Sequence, residues 1–160
     1  MARRYWLMKS EPSVFSFEDL ARAPRRTTHW DGVRNYQARN LLRDEVRRGD
    51  GVLFYHSSAD PTGVVGTAVV AREAYPDSSQ FDPRSPHHDP RSKREAPTWL
   101  CVDLRYDRAF RHAVTLAQLR AAPALAGMGV LRKGNRLSVQ PVTQAEWRAV
   151  LRLGGLEEAD

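Results

Sequence analysis

The stretch VLFYHSSADPTGVVGTAVVA, residues 52–71, decides the fold class. Two runs rich in β-branched and aromatic residues, VLFYHS (52–57) and VVGTAVVA (64–71), flank a turn that carries Pro61 and Gly63. Runs of this length bounded by turn formers read as paired strands, here a hairpin. Parallel strands need a long crossover instead, so a hairpin argues against a Rossmann-type layout. Working outward, Tyr5–Met8 is a short apolar run read as a buried strand, and Pro12 turns the chain away after Lys9-Ser10-Glu11. Ser16 reads as the N-cap of a short helix containing Phe17 and Leu20, with Asp19 at its positive end. Asn35 reads as the N-cap of a longer one, in which Ala38, Leu41, Leu42 and Val46 recur at helical spacing and Gly49 supplies the stop.

Beyond the hairpin, residues 74–97 carry five prolines among Asp, Ser and Arg. A polar loop of that length inside a compact domain is commonly functional. TWLCVDL (98–104) resumes as a strand, and RLSVQPV (136–142) reads as the last strand, ended by Pro141. Thr115/Gln118 and Thr143/Glu146 form capping boxes that open two short helices. The expectation is one domain over residues 1–160, α+β, built on a curved, mixed or antiparallel, barrel-like sheet.

Of 160 residues, 41% are hydrophobic and 28% charged, an ordinary globular balance. No apolar run approaches the ~18 residues of a membrane helix, and the N-terminal apolar stretch stops at Met8, too soon for a signal peptide. The single cysteine, Cys101, precludes an internal disulfide and suits a reducing cytoplasm. A net charge of +6 favours an anionic partner such as nucleic acid. Only Lys9, Lys93 and Lys133 are lysines against 22 arginines, a skew that a GC-rich genome also produces.

The phosphate loop, the dinucleotide turn and the serine-hydrolase elbow are all missing; GMGVLRKG (127–134) fails the spacing. His87-His88-Asp89 lacks the partners that would complete a metal site, and Cys101 lies in an apolar strand as a packing thiol. No cofactor, metal or catalytic set is therefore expected. What remains is polar and aromatic groups at element ends: Lys9, Ser10 and Glu11; Trp30 and Asn35; His56 and Ser57. Sharing one mouth of the sheet, they would make a flat-walled cavity suited to a nucleobase, which needs a stacking surface and an edge to hydrogen-bond. The plainer reading makes Trp30 and Tyr36 core aromatics, Asn35 a helix cap and His56 a satisfied surface group. Residue chemistry leans to the plainer one, and spacing does not decide.

YWLMKSEP, WDGVRNYQARN, VLFYHS, REAYPDSSQFDP and RLSVQPV resemble, in the same order, the signature blocks of the EVE domain family, over nearly the whole chain from Arg4 to Leu151. The resemblance implies a PUA-like pseudo-barrel of mixed strands with peripheral short helices, related to PUA and YTH domains. It implies a non-enzymatic nucleic-acid-binding module that reads a modified base, with a modified cytosine in DNA ahead of RNA as ligand. Carried over position by position, the base pocket would comprise Lys9, Ser10, Glu11, Trp30, Arg34, Asn35, His56 and Ser57. Within it we assign Trp30 to stacking, Ser10, Glu11 and Asn35 to the base edge, and Lys9, Arg34 and Arg39 to flanking phosphates. Two departures stand out: His87 and His88 replace a common loop tyrosine, and DPTGVVG lacks a second proline. An imidazole over the ligand would weaken stacking or make binding pH-sensitive. Two other classes compete, an enzyme using Glu11 and Lys9 as an acid–base pair and a small-metabolite sensor.

Overall fold

The computed structural model describes residues 2–156. In chain order its elements are β1 (Tyr5–Ser10), α1 (Phe17–Arg22), β2 (Thr27–Trp30), α2 (Tyr36–Asp44), β3 (Gly51–His56), β4 (Gly63–Pro76), β5 (Leu100–Thr115), α3 (Leu116–Ala121), β6 (Val139–Val142) and α4 (Gln144–Leu153). One six-stranded sheet runs in the order β2-β5-β4-β3-β1-β6. The β3–β4 hairpin forms as expected, and every pairing is antiparallel except β1 with β3.

Side chains alternate across a strand, and in β1 and β3 both sets are apolar. Trp6, Met8, Val52 and Phe54 enter one core, where they meet Phe17 and Leu20 of α1 and Ala38 and Leu42 of α2. Leu7, Leu53 and Tyr55 enter a second core on the opposite face, with Leu119 of α3 and Trp147, Val150 and Leu151 of α4. The first core takes residues from all six strands, down to Trp30 and Val139 on the two edges. A flat sheet could not converge in this way, so the sheet curls around that core. The long β4–β5 ribbon supplies the bend, with four register shifts along its pairing, and such irregularities kink and twist a sheet.

Several boundaries differ from the sequence reading for physical reasons. Pro141 lies inside β6 rather than ending it, because β6 is an edge strand and a missing N–H costs nothing on its open side. Helix α2 stops at Asp44, so Val46 is buried beyond the helix and Gly49 follows in a left-handed turn. Strand β2, which ends at Trp30, was not foreseen; its TTHW is too short and polar to carry an alternation signal. Ser16, Asn35, Thr115 and Thr143 all cap helices as expected. Among the described residues no helix is long and apolar enough to cross a membrane.

Two polar contacts fasten β1 and α1. The buried Asp50 carboxylate accepts from the Trp6 indole N–H (2.9 Å) and from the backbone N–H groups of Arg47 (2.9 Å) and Arg4 (3.1 Å). The backbone N–H of Phe17 donates to Nε2 of His56 across 3.1 Å, which ties the start of α1 to the end of β3. Burial pushes the His56 pKa below its usual value, against a smaller upward pull from Glu18.

Replacing Asp50 with alanine is expected to cost roughly 2–4 kcal/mol in chemical denaturation, because three donors lose their acceptor, one of them a buried indole. The His56 contact sets a pH dependence. Above the unfolded pKa of about 6.5 neither state is protonated; as pH falls through that value the unfolded chain binds a proton that the folded ring resists, so stability declines. Unfolding free energy should drop between neutral and mildly acidic pH, and His56→Gln should flatten that part of the profile.

Candidate functional site

The edge strands β2 and β6 do not pair with each other. A cavity of about 650 Å³ opens along this seam, within the ~300–1,000 Å³ usual for small-molecule sites. Its walls come from the end of β1 (Lys9, Ser10), the following loop (Glu11, Val14, Phe15), β2 and its turn (Thr28 to Val33), His87 of the long loop, and Ser138 before β6.

Each wall has a local cause. The carbonyl of Glu11 accepts from the N–H groups of Val14 and Phe15, a turn that returns the chain toward the strand it has just left. The Ser10 hydroxyl then donates to the carbonyl of Phe15 at 2.5 Å, which leaves its lone pairs as acceptors. The Lys9 N–H donates to the carbonyl of Ser138 at 2.9 Å and holds the approach to β6 beside β1. Val14 stands at the lip, 74% exposed. Trp30 is only 7% exposed and packs edge-on against Phe54, ring centroids 5.3 Å apart, so it is a core side chain that also forms a cavity wall.

The long loop is tied into this wall. Gly32 has φ +80°, and its N–H donates to Asp77 at 2.8 Å. A side chain there would strike the His87 ring, which lies 2.7 Å from where a Cβ would stand. The Arg34 guanidinium donates to Asp77 (3.0 Å), Ser79 (3.1 Å) and the carbonyl of His87 (2.7 and 3.0 Å), with Trp99 under it at 5.4 Å. Burial pushes the Asp77 carboxyl upward, but hydrogen bonds from Ser79, Gly32 and Arg34 outweigh it and hold the group below the usual carboxylate range. Gln80, fully buried, bridges the loop: its amide N–H groups reach the carbonyls of Asp77 and Trp99, and its oxygen accepts from Trp99 N–H and Ser92.

Of the residues expected to share one mouth, Lys9, Ser10, Glu11 and Trp30 line the cavity, and Arg34, Asn35, His56 and Ser57 do not. Arg34 is occupied by the loop. Asn35 caps α2, its carboxamide oxygen accepting from Ala38 N–H at 3.0 Å. His56 is held by Phe17, and Ser57 bonds through its backbone to the carbonyl of Ser10. Arg39, assigned to phosphate, donates to the carbonyl of Thr98 and to the Asn40 side chain. Lys9 lines the cavity, but its ammonium lies 5.8 Å over the Tyr55 ring of the second core, and burial lowers its pKa. Sequence reasoning missed Val14, Phe15, Val33 and Ser138. The pattern offered no signal for them, since they meet only when the edge strands curl toward each other. For His87 there was a signal, its departure from the family pattern.

The EVE domain family model matches residues 4–153. Human thymocyte nuclear protein 1 is 44% identical over 165 residues, an alignment that covers 93% of this chain and 73% of that protein. A crystal structure of human THYN1 in complex with DNA containing 5-methylcytosine superposes with a TM-score of 0.88 at 42% identity, covering 97% of this chain and 99% of that one. A crystal structure of a Pseudomonas syringae protein gives 0.89 at 43% identity, covering 94% and 99%. Matched over nearly its full length and on this scaffold, the chain belongs to the EVE domain family.

Proposed function

We propose that the chain is a non-enzymatic reader of DNA that takes a modified cytosine, extracted from its stack, into the cavity beside Trp30. The observation that carries this reading is the coincidence of that cavity with a fold whose human relative, 42% identical, has been crystallised with 5-methylcytosine-containing DNA. The lining suits such a base. Trp30 offers an aromatic wall, Val14, Phe15 and Val33 offer apolar surface to a 5-methyl group, and the free lone pairs of Ser10 suit an N4 amino donor. Glu11, whose carboxylate has no partner among the described residues, is a second acceptor for that amino group.

The acid–base reading has less support, because the Lys9 ammonium lies over Tyr55 and forms no ion pair with Glu11 among the described residues. Cytoplasmic residence is part of the proposal. It fits a lone cysteine, Cys101, that is buried with its thiol pushed up to about 12 by burial and so is poorly reactive.

5-Methylcytosine and thymine carry the same methyl group and differ at C4, amino against carbonyl. Titration of strands that differ only at this base should show preference for 5-methylcytosine over both thymine and unmodified cytosine. Glu11→Ala, on an exposed side chain, should leave melting unchanged and reduce the preference over thymine about tenfold, or ~1.4 kcal/mol. Equal binding of all three strands by the unaltered protein would refute the reading. Trp30→Ala is a poor probe: removing so buried an indole should cost ~3–5 kcal/mol of stability, seen as a large fall in melting temperature.

A further inference from the structure

A second cavity, of about 800 Å³, lies beside β6. Its wall is the loop GMGVLRKGNR (127–136), faced by Asn35 and Gln37 and by the residues of β6. The lining passes from one cavity to the other between near neighbours in the chain, Val33 to Asn35 and Ser138 to Leu137, so the two lie side by side.

Arg132, Lys133 and Arg136 all line this cavity, and among the described residues none has an ion-pair or hydrogen-bond partner for its side chain. That contrasts with Arg34, Arg39 and Arg47, whose guanidinium groups are occupied by neighbouring oxygens. The lining contains one carboxylate, Glu146, and it already accepts from the backbone N–H of Thr143 at 2.9 Å.

Two further features mark the lining. Gly127 has no positive φ, and a Cβ on it would meet nothing within 4 Å. A larger side chain there would therefore enter the cavity without disturbing the fold. Gln140 is 1% exposed; its amide donates to the carbonyl of Leu137 at 2.8 Å, but its oxygen has no partner. That oxygen lies against Gly129, 3.1 Å from where a Cβ would stand. Buried acceptors are seldom left unpaired, and an exception calls for an explanation.

We propose that this cavity holds the phosphodiester backbone next to the base in the first cavity. Arg132, Lys133 and Arg136 take the phosphate oxygens. The inference rests on reading the first cavity as the base site. It also moves the phosphate contacts away from Arg34 and Arg39, whose side chains are engaged within the fold.

The test compares the unaltered protein with a combined Arg132→Ala, Lys133→Ala, Arg136→Ala variant and with Gly127→Leu. The probes are a short single strand containing one 5-methylcytosine, its unmodified counterpart, and the nucleoside 5-methyl-2′-deoxycytidine, which has no phosphate. The triple variant should bind the strand at least tenfold more weakly at low salt. Its slope of log affinity against log salt should be shallower by about 2, three contacts at ~0.7 each. Nucleoside binding should be unchanged. Gly127→Leu should melt like the parent and bind the strand more weakly. Strand affinity and salt slope unaltered in the triple variant would overturn the proposal, as would failure of the parent to bind either strand. If the parent binds both strands equally while the triple variant loses affinity and slope, the second cavity stands and only the reading of the first fails.

Discussion

Burial of β1 and β3 on both faces is the constraint on which the rest of the structure depends. Along Tyr5–Met8 and Val52–Tyr55 one side chain goes to the core under α1 and α2 and the next to the core under α3 and α4. Neither strand carries an ionisable nitrogen or carboxylate before Lys9 in β1 and His56 in β3, so that chemistry is confined to their C-terminal ends. Lys9 and Ser10, with Glu11 just beyond the strand, are the first positions released from that requirement, and they line the cavity. The parallel register places Ser10 opposite His56, so β3 ends at the same level.

The second constraint is the open seam. A sheet that curls around one core but leaves β2 and β6 unpaired must cover the gap with something other than a ladder. Here the cover is the loop after β1, together with the turn after β2 and the long proline-rich segment, the last two joined through Asp77, Arg34 and Gly32. The loop between β4 and β5 is thereby held by buried hydrogen bonds at Gln80 and Asp77 and delivers His87 to the cavity wall. Arg34 illustrates the cost of inferring a role from residue type: a guanidinium suits phosphate, but equally suits a carboxylate and carbonyls from its own chain.

Trp30 belongs to both accounts. It is buried as deeply as a core residue and meets Phe54 edge to face, yet its remaining surface faces the cavity. Core and pocket were posed as alternatives for this side chain, and the structure makes it both, because the pocket wall is the outer surface of the core.

The fold class, the β3–β4 hairpin, the four helix N-caps and the family were legible in the residues, since each is a local pattern of period, cap or motif. The Lys9–Glu11 strand end was also legible, because the apolar run stops there. The partners of the remaining polar residues were not. Asn35 could cap a helix or read a base, and Arg34 and Arg39 could meet phosphate or their own chain, with identical spacing in every case. Only the curl of the sheet, which brings Gly32 to His87, Arg34 to Asp77 and Val33 to Ser138 across more than forty residues of sequence, decided among them. Contacts of that range are set by how the two cores pack, and no local pattern encodes them.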